Sequence, residues 1–134
     1  MADKIIRGDG VTPYYVDKDF KTVANKEISD VLEKVAKDLG ATVHRGTVWT
    51  TDALLRETRE LVEAKRKEGA IAVDMVSSTL LTIAQTYNVK AGSILAVSDN
   101  VITGEMGFMN PLYYMAETKL IEIALETVKR LEGK

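Results

Sequence analysis

A chain of 134 residues, 46% hydrophobic and 28% charged, can close one hydrophobic core and has the composition of a soluble globular protein. A net charge of −2 leaves no basic excess to neutralise a phosphate backbone, so nucleic acid is excluded as an expected partner. Cysteine is absent, which excludes disulfides, a thiol nucleophile and cysteine-ligated zinc, and no apolar run approaches the ~20 residues that span a bilayer.

The opening Met1-Ala2-Asp3-Lys4 has neither the apolar core nor the cleavage site of a signal peptide, so the expected location is the cytoplasm, with no membrane partner. Ile5-Ile6-Arg7 reads as the end of a short strand, and Gly8-Asp9-Gly10 as the turn that follows it. Tyr14-Tyr15-Val16 is expected to be a second short extended piece. Asn25 is suited to cap a helix running to Leu39 and stopped by Gly40. Within it Ile28, Leu32, Val35, Ala36 and Leu39 recur at three and four residues, which marks one buried face. Thr42 to Thr51 is rich in β-branched residues and reads as a strand, followed by a charged helix from Thr58 to Glu68 that stops at Gly69.

Ala70-Ile71-Ala72-Val73 is an almost uninterrupted apolar run, expected of a strand buried on both faces. Ser77 to Tyr87 reads as a helix with Leu80, Leu81, Ile83 and Ala84 inside, and Ser93-Ile94-Leu95-Ala96-Val97 as another fully apolar strand. Asn110-Pro111 supplies a cap and a first-turn proline for a last helix, expected to bury Leu112, Ala116, Leu120, Ala124, Val128 and Leu131. Alternation of strand and helix from Thr42 onward predicts an α/β fold, with a largely parallel or mixed sheet between helices. Repeats, low-complexity tracts and linkers are absent, so residues 1–134 are expected to form one domain.

In open α/β sheets ligands collect at the carboxyl ends of the strands. Three predicted strands finish with polar groups there: Thr50-Thr51-Asp52, Asp74-Met75 and Ser98-Asp99-Asn100. Parallel neighbours would bring the three carboxylates to one rim, but aspartate is also a preferred cap, and on spacing alone capping is its commoner role. Gly8-Asp9-Gly10 does not open a helix and is read as a turn rather than a phosphate loop. His44, the one histidine, sits mid-strand with no acidic residue at a metal-ligand spacing, so no metal site is expected. The run Arg56, Arg59, Lys65, Arg66 and Lys67 alternates with Glu57, Glu60, Glu63 and Glu68 as a solvated helix face does. Trp49, Met106 and Met109 fit pocket lining, and core filling is the commoner use of both residue types.

Four segments together resemble the nucleoside phosphorylase family of the uridine, purine nucleoside and methylthioadenosine phosphorylase type. Gly46-Thr47-Val48-Trp49-Thr50-Thr51-Asp52-Ala53-Leu54-Leu55-Arg56-Glu57-Thr58 resembles the segment beside the base pocket. Ala72-Val73-Asp74-Met75-Val76-Ser77-Ser78-Thr79-Leu80 resembles the ribose-binding segment, usually Val-Glu-Met-Glu, and Val97-Ser98-Asp99-Asn100 resembles the segment with the catalytic acid. Ile6-Arg7-Gly8-Asp9-Gly10, followed by Tyr14-Tyr15, is similar to the family's Arg-Asp-Gly turn. The resemblance implies a three-layer αβα sandwich, a truncated phosphorylase-like fold covering the C-terminal half of the usual domain. It also implies roles: Asp99 as the acid that neutralises the departing base, Ser98 beside the same edge of the base, Met75 under the ribose, Asp74 on its hydroxyls, and Thr51 and Leu54 near the base. Asp99 favours a purine, whereas Arg56-Glu57-Thr58 resembles the uridine phosphorylase branch, and the base stays open.

The departures carry as much weight. The second ribose carboxylate of the family falls on Val76, the first is shortened to Asp74, and the stacking aromatic is reduced to Leu54. A lost hydrogen bond of this kind typically costs ~1–3 kcal/mol. The family's glycine-rich phosphate loop and clamping arginines belong to the half with no counterpart here, and Arg7, Arg45, Arg56, Arg59, Arg66 and Arg130 do not match them. Without that clamp, phosphate is neither positioned nor neutralised. Three readings follow from the resemblance: a nucleoside- or nucleobase-binding relative without phosphorolytic activity of its own, one half of a split pentosyltransferase active with a partner chain, or a structural assembly module. No cofactor is expected, with phosphate as co-substrate if the chain is active. A homo-oligomer, or a partner supplying the missing half, is expected to cover the sheet edges.

Overall fold

A computed structural model of the protein describes residues 1–133, the side chain of Phe108 excepted. The last residue of the domain expected over 1–134 therefore lies outside the described residues. Strand β1 (Ala2–Gly8) leads through a 3-10 turn at Thr12–Tyr14 to helix α1 (Lys26–Asp38) and strand β2 (Gly46–Thr51). A second 3-10 turn at Leu54–Arg56 precedes α2 (Arg59–Lys67), β3 (Ala70–Asp74) and α3 (Ser77–Thr86). The hairpin of β4 (Asp99–Asn100) and β5 (Glu105–Met106), a turn at Gly107–Met109, and α4 (Pro111–Glu132) complete the chain.

The fold is α/β. Strands β1, β2 and β3 form a parallel sheet in that order, and β4 pairs with β5 antiparallel. One core cluster joins Met1 to Leu32, Val35 and Ala36 of α1 and Ile123 of α4; the other joins Ala2 and Val48 to Leu81 of α3. Met1 and Ala2, and likewise Ile94 and Leu95, divide between the two clusters, as successive residues do across a sheet. Helices thus lie on both sides. An ion pair from Arg130 to Asp38 adds to the packing of α4 against α1.

Local signals set the helix ends. The side chain of Asn25 accepts from the Ile28 N–H, that of Thr58 from the Leu61 N–H, and that of Asn110 from the Leu112 N–H. Gly40 and Gly69 take φ of +74° and +101° just past their helices, a conformation that side chains disfavour. Ahead of β2, Arg45 binds Asp3 through Nε and both Asp30 and Glu33 through Nη1, drawing residues of β1 and α1 onto one guanidinium.

Several sequence expectations are corrected. Tyr14 closes a 3-10 turn with Pro13 in it rather than an extended piece. The second strand begins at Gly46 instead of Thr42, so His44 lies before it, where its carbonyl accepts the Met1 ammonium at 2.7 Å. β3 is not buried on both faces: Ile71 is 55% exposed, because β3 is an edge strand. On α3 only Leu81 of the four expected apolar residues is fully buried, and Leu80 is half exposed. The buried residues of α4 are Ile123 and Thr127, whereas Leu112, Ala116 and Val128 face solvent and Leu120, Ala124 and Leu131 are half-buried. Among the described residues Ser93–Val97 forms no ladder, only one antiparallel bridge from Ser93 to Ala2.

Candidate functional site

The carboxyl ends of β1, β2 and β3 meet at the start of α3, and polar side chains lock them together. Thr50 stands opposite Asp74 in the parallel register and donates its hydroxyl to Asp74 Oδ1 at 2.5 Å. Asp74 Oδ2 accepts from the N–H groups of Ser77 (2.9 Å), the first residue of α3, and of Val76 (3.4 Å) just before it. The Ser78 N–H reaches back to Thr50 Oγ1 at 3.1 Å. Asp74 therefore acts as a cap, and both of its oxygens are engaged. Thr51 is buried and accepts from the Ala53 N–H, while Leu54 and Met75 are exposed beside this rim at 58% and 46%.

The turn after β1 joins the same rim through a residue that sequence reasoning read only as turn chemistry. Asp9 is buried; Oδ1 accepts from the N–H groups of Val11 and Thr12, and Oδ2 from the hydroxyls of Thr12 and Ser78. Burial pushes the Asp9 carboxyl up, but the bonds from Ser78, Thr12 and Val11 outweigh it and hold the group below the ordinary carboxylate range. Asp52 closes the turn from the other side, accepting from the Gly10 N–H at 2.6 Å. Gly8 is obligatory here, since a Cβ would come within 2.7 Å of Trp49 Nε1 and 2.8 Å of the Thr50 carbonyl. Trp49 itself is buried at 4% exposure and fills the core.

Ser98 and Asp99 lie in a separate cleft of about 580 Å³, walled by the β4–β5 hairpin and the first turns of α4. The Ser98 hydroxyl donates to Asp99 Oδ2 at 2.7 Å, and the Gly107 N–H to Oδ1 at 3.1 Å. Met106, Met109, Leu112 and Tyr113 line the cleft, together with Glu105 as a second carboxylate. Thr51, Leu54, Asp74 and Met75 are not among its lining residues, and among the described residues no hydrogen bond joins Asp99 to them.

The stretch after the Leu54–Arg56 turn connects the two groups. Glu57, expected on a solvated helix face, instead caps that turn and is half-buried. Burial first, and then the charge of Asp99, raise its pKa above the ordinary value. Arg59 donates to the Ile102 carbonyl at 2.7 Å, so the hairpin leans on the start of α2. Glu57 and Asp9 are two residues beside the candidate site whose contacts sequence reasoning missed. Their quoted motifs, Arg56-Glu57-Thr58 and Arg7-Gly8-Asp9-Gly10, were the available signal. Among the described residues no group of three or more acidic or histidine side chains could hold a metal ion, and no helix is long and apolar enough to cross a membrane.

The sequence model of the Phosphorylase superfamily matches residues 1–128. A DeoD-type purine nucleoside phosphorylase of Bacillus cytotoxicus is 33% identical over 108 residues, 81% of this chain and 46% of the relative. One from Brevibacillus brevis is 37% identical over 87 residues, 65% of this chain and 37% of the relative. Among solved structures, a Plasmodium knowlesi homologue of the P. falciparum purine nucleoside phosphorylase superposes with a TM-score of 0.77 at 27% identity, covering 96% of this chain and 54% of the other. The Toxoplasma gondii purine nucleoside phosphorylase, in complex with immucillin-H, shares the fold with a TM-score of 0.79 at 18% identity, over 98% of this chain and 56% of the other. The chain spans about half the length of the relatives it matches. With the match running from β1 into α4, the chain belongs to the nucleoside phosphorylase family of the phosphorylase superfamily.

Proposed function

We propose that this chain binds a nucleoside or its base at the Asp99 cleft and has no phosphorolytic activity of its own. The observation that carries this reading is the Asp99 carboxylate, aimed by the Ser98 hydroxyl and the Gly107 N–H on the wall of a 580 Å³ cleft. Both groups donate to it, which suits a carboxylate that accepts a hydrogen bond from the edge of a base. Ser98 supplies a further polar group, while Thr51, Leu54, Asp74 and Met75 lie outside this cleft, around the start of α3. Two features support binding without turnover: both oxygens of Asp74 already serve Thr50 and α3, and Val76 offers a ribose hydroxyl no acceptor. Purine is the favoured base, because Val97-Ser98-Asp99-Asn100 resembles the segment that carries the family's acid for purines and the relatives above are named for purine nucleosides. Uridine is the comparison ligand, on the strength of Arg56-Glu57-Thr58.

The test is thermal denaturation with adenine, hypoxanthine, uracil and their nucleosides. A ligand at one hundred times its Kd stabilises the folded state by ~2.7 kcal/mol. The expected result is an upward shift with a purine that Asp99→Asn diminishes; no shift at millimolar ligand overturns the reading.

A second reading is favoured by the length of the relatives: with a partner chain that binds phosphate, this chain becomes one half of a pentosyltransferase in the cytoplasm. Asp99 then bonds to the departing base while the partner holds phosphate as co-substrate. Phosphate-dependent release of base, seen only when both chains are present, supports it; release that Asp99→Asn leaves unchanged removes Asp99 from the reaction. The exposed apolar residues of α4, Leu112, Tyr114, Met115, Ile121, Leu125 and Val128, suit self-association or such a partner.

A further inference from the structure

The charge of the cleft that holds Asp99 is one-sided. Among the described residues its lining carries two carboxylates, Asp99 and Glu105, and no lysine, arginine or histidine. The donors to Asp99, the Ser98 hydroxyl and the Gly107 N–H, are both neutral, so its charge is oriented but not cancelled. Glu105 likewise takes a neutral donor, the Thr103 hydroxyl. A third carboxyl, Glu57, stands close enough to respond: burial first, and then the charge of Asp99, raise its pKa. Arg59, at the start of α2, gives its Nη2 to the Ile102 carbonyl instead of to a carboxylate.

The walls have a matching chemistry. Met106, Met109 and Leu112 are each more than half exposed there, beside the ring of Tyr113. The Tyr113 hydroxyl donates to Glu117 Oε1 at 2.6 Å, which leaves that ring electron-rich. An electron-rich face attracts a cation, thioether sulfurs pack well on aromatic rings, and a carboxylate binds charged N–H groups more strongly than neutral ones.

We infer that this cleft selects a planar heteroaromatic ring bearing positive charge, a protonated or N-alkylated purine in preference to a neutral one. The inference rests on the reading that a nucleoside or base binds here, and it adds the charge state of the ring. A neutral base offers Asp99 an N–H alone; a cationic base adds attraction to Asp99, to Glu105 and to the Tyr113 face. The same field opposes a phosphate ester, so a nucleotide is expected to bind more weakly than its nucleoside.

Titration calorimetry on the full chain at neutral pH tests it with two matched pairs. The first sets 1-methyladenosine, a cation, against its neutral isomer N6-methyladenosine; the second sets 1-methylquinolinium against neutral 2-methylquinoline. In each pair the cation is expected to bind at least ~10-fold more tightly. That gap is expected to fall below ~3-fold in Asp99→Asn, to narrow in Glu105→Gln, and to narrow in the unaltered chain at ~1 M salt, where screening acts within ~3 Å. Equal affinities within both pairs, no binding of either cation, or a gap that neither salt nor the two substitutions change would overturn the inference. Two adenosine isomers that bind alike leave the nucleoside reading standing without this one. A gap confined to the quinoline pair, with neither adenosine bound, does the reverse.

Discussion

The two ends of the candidate site are built on opposite principles. Around the start of α3 every carboxylate has donors: Asp9 takes Val11, Thr12 and Ser78, Asp74 takes Thr50, Val76 and Ser77, and Asp52 takes Gly10. From Val97 to Val128 the opposite holds, with a few local hydrogen bonds and a row of exposed methionines, leucines and valines. The first region is finished within the chain. The second leaves its apolar surface exposed.

The largest effect that would break this contrast is expected at Asp9. Replacing it by alanine leaves the buried Ser78 and Thr12 donors unpaired and is expected to lower stability by about 3 kcal/mol in urea denaturation. Because the folded pKa of Asp9 is depressed, its contribution is present above the ordinary aspartate value of about 3.9 and is lost as pH falls through the folded value. Denaturation midpoints from pH 6 to pH 3 should therefore flatten in Asp9→Asn. A midpoint unmoved by either variant would mean that the rim is not fixed from within.

Gly107→Ala comes next. Its Cβ collides with the Ser98 carbonyl, so the hairpin must open, with an expected cost of about 1–3 kcal/mol. Limited proteolysis between Asn100 and Glu105 should speed up, which sharpens the claim that Asp99 is held only by its hairpin. Thr50→Val deprives the Ser78 N–H and Asp74 of their shared hydroxyl and is expected to cost ~1–2 kcal/mol, read from the same urea curves. The smallest effect on folding is expected at Leu125, which is exposed on α4. Leu125→Glu should leave stability within about 0.5 kcal/mol, yet weaken any self-association seen by sedimentation.

How much of this was legible in the sequence depended on distance along the chain. The caps at Asn25 and Asn110 were readable because a cap acts on an N–H two or three residues away. The expectation that Asp52, Asp74 and Asp99 share one rim was not met, since Asp99 lies in a separate cleft with the hairpin. The bond from Ser78 to Asp9 spans 69 positions and leaves no periodic trace, so the central role of Asp9 was hidden. Apolar pattern misled in α4, where Ile121 and Leu125 add a second apolar face and the core takes Ile123 and Thr127 instead. It misled again at Ser93–Val97, which among the described residues pairs only through the bridge from Ser93 to Ala2.

Arg45 bears on how the sheet is aligned. Its guanidinium gathers Asp3, Asp30 and Glu33, while Lys26 and Lys37 bind the outer sides of Asp30 and Glu33. Three cations thus balance three anions in one chain of contacts, with no charge left over to be screened. A planar fork can hold several carboxylates at fixed angles where an ammonium cannot. The irregular stretch before Gly46 is thereby clasped at a set depth against its neighbour. The clasp sits beside the register shift at Asp3, beyond which β1 and β2 pair regularly and Val48 and Thr50 look toward α3.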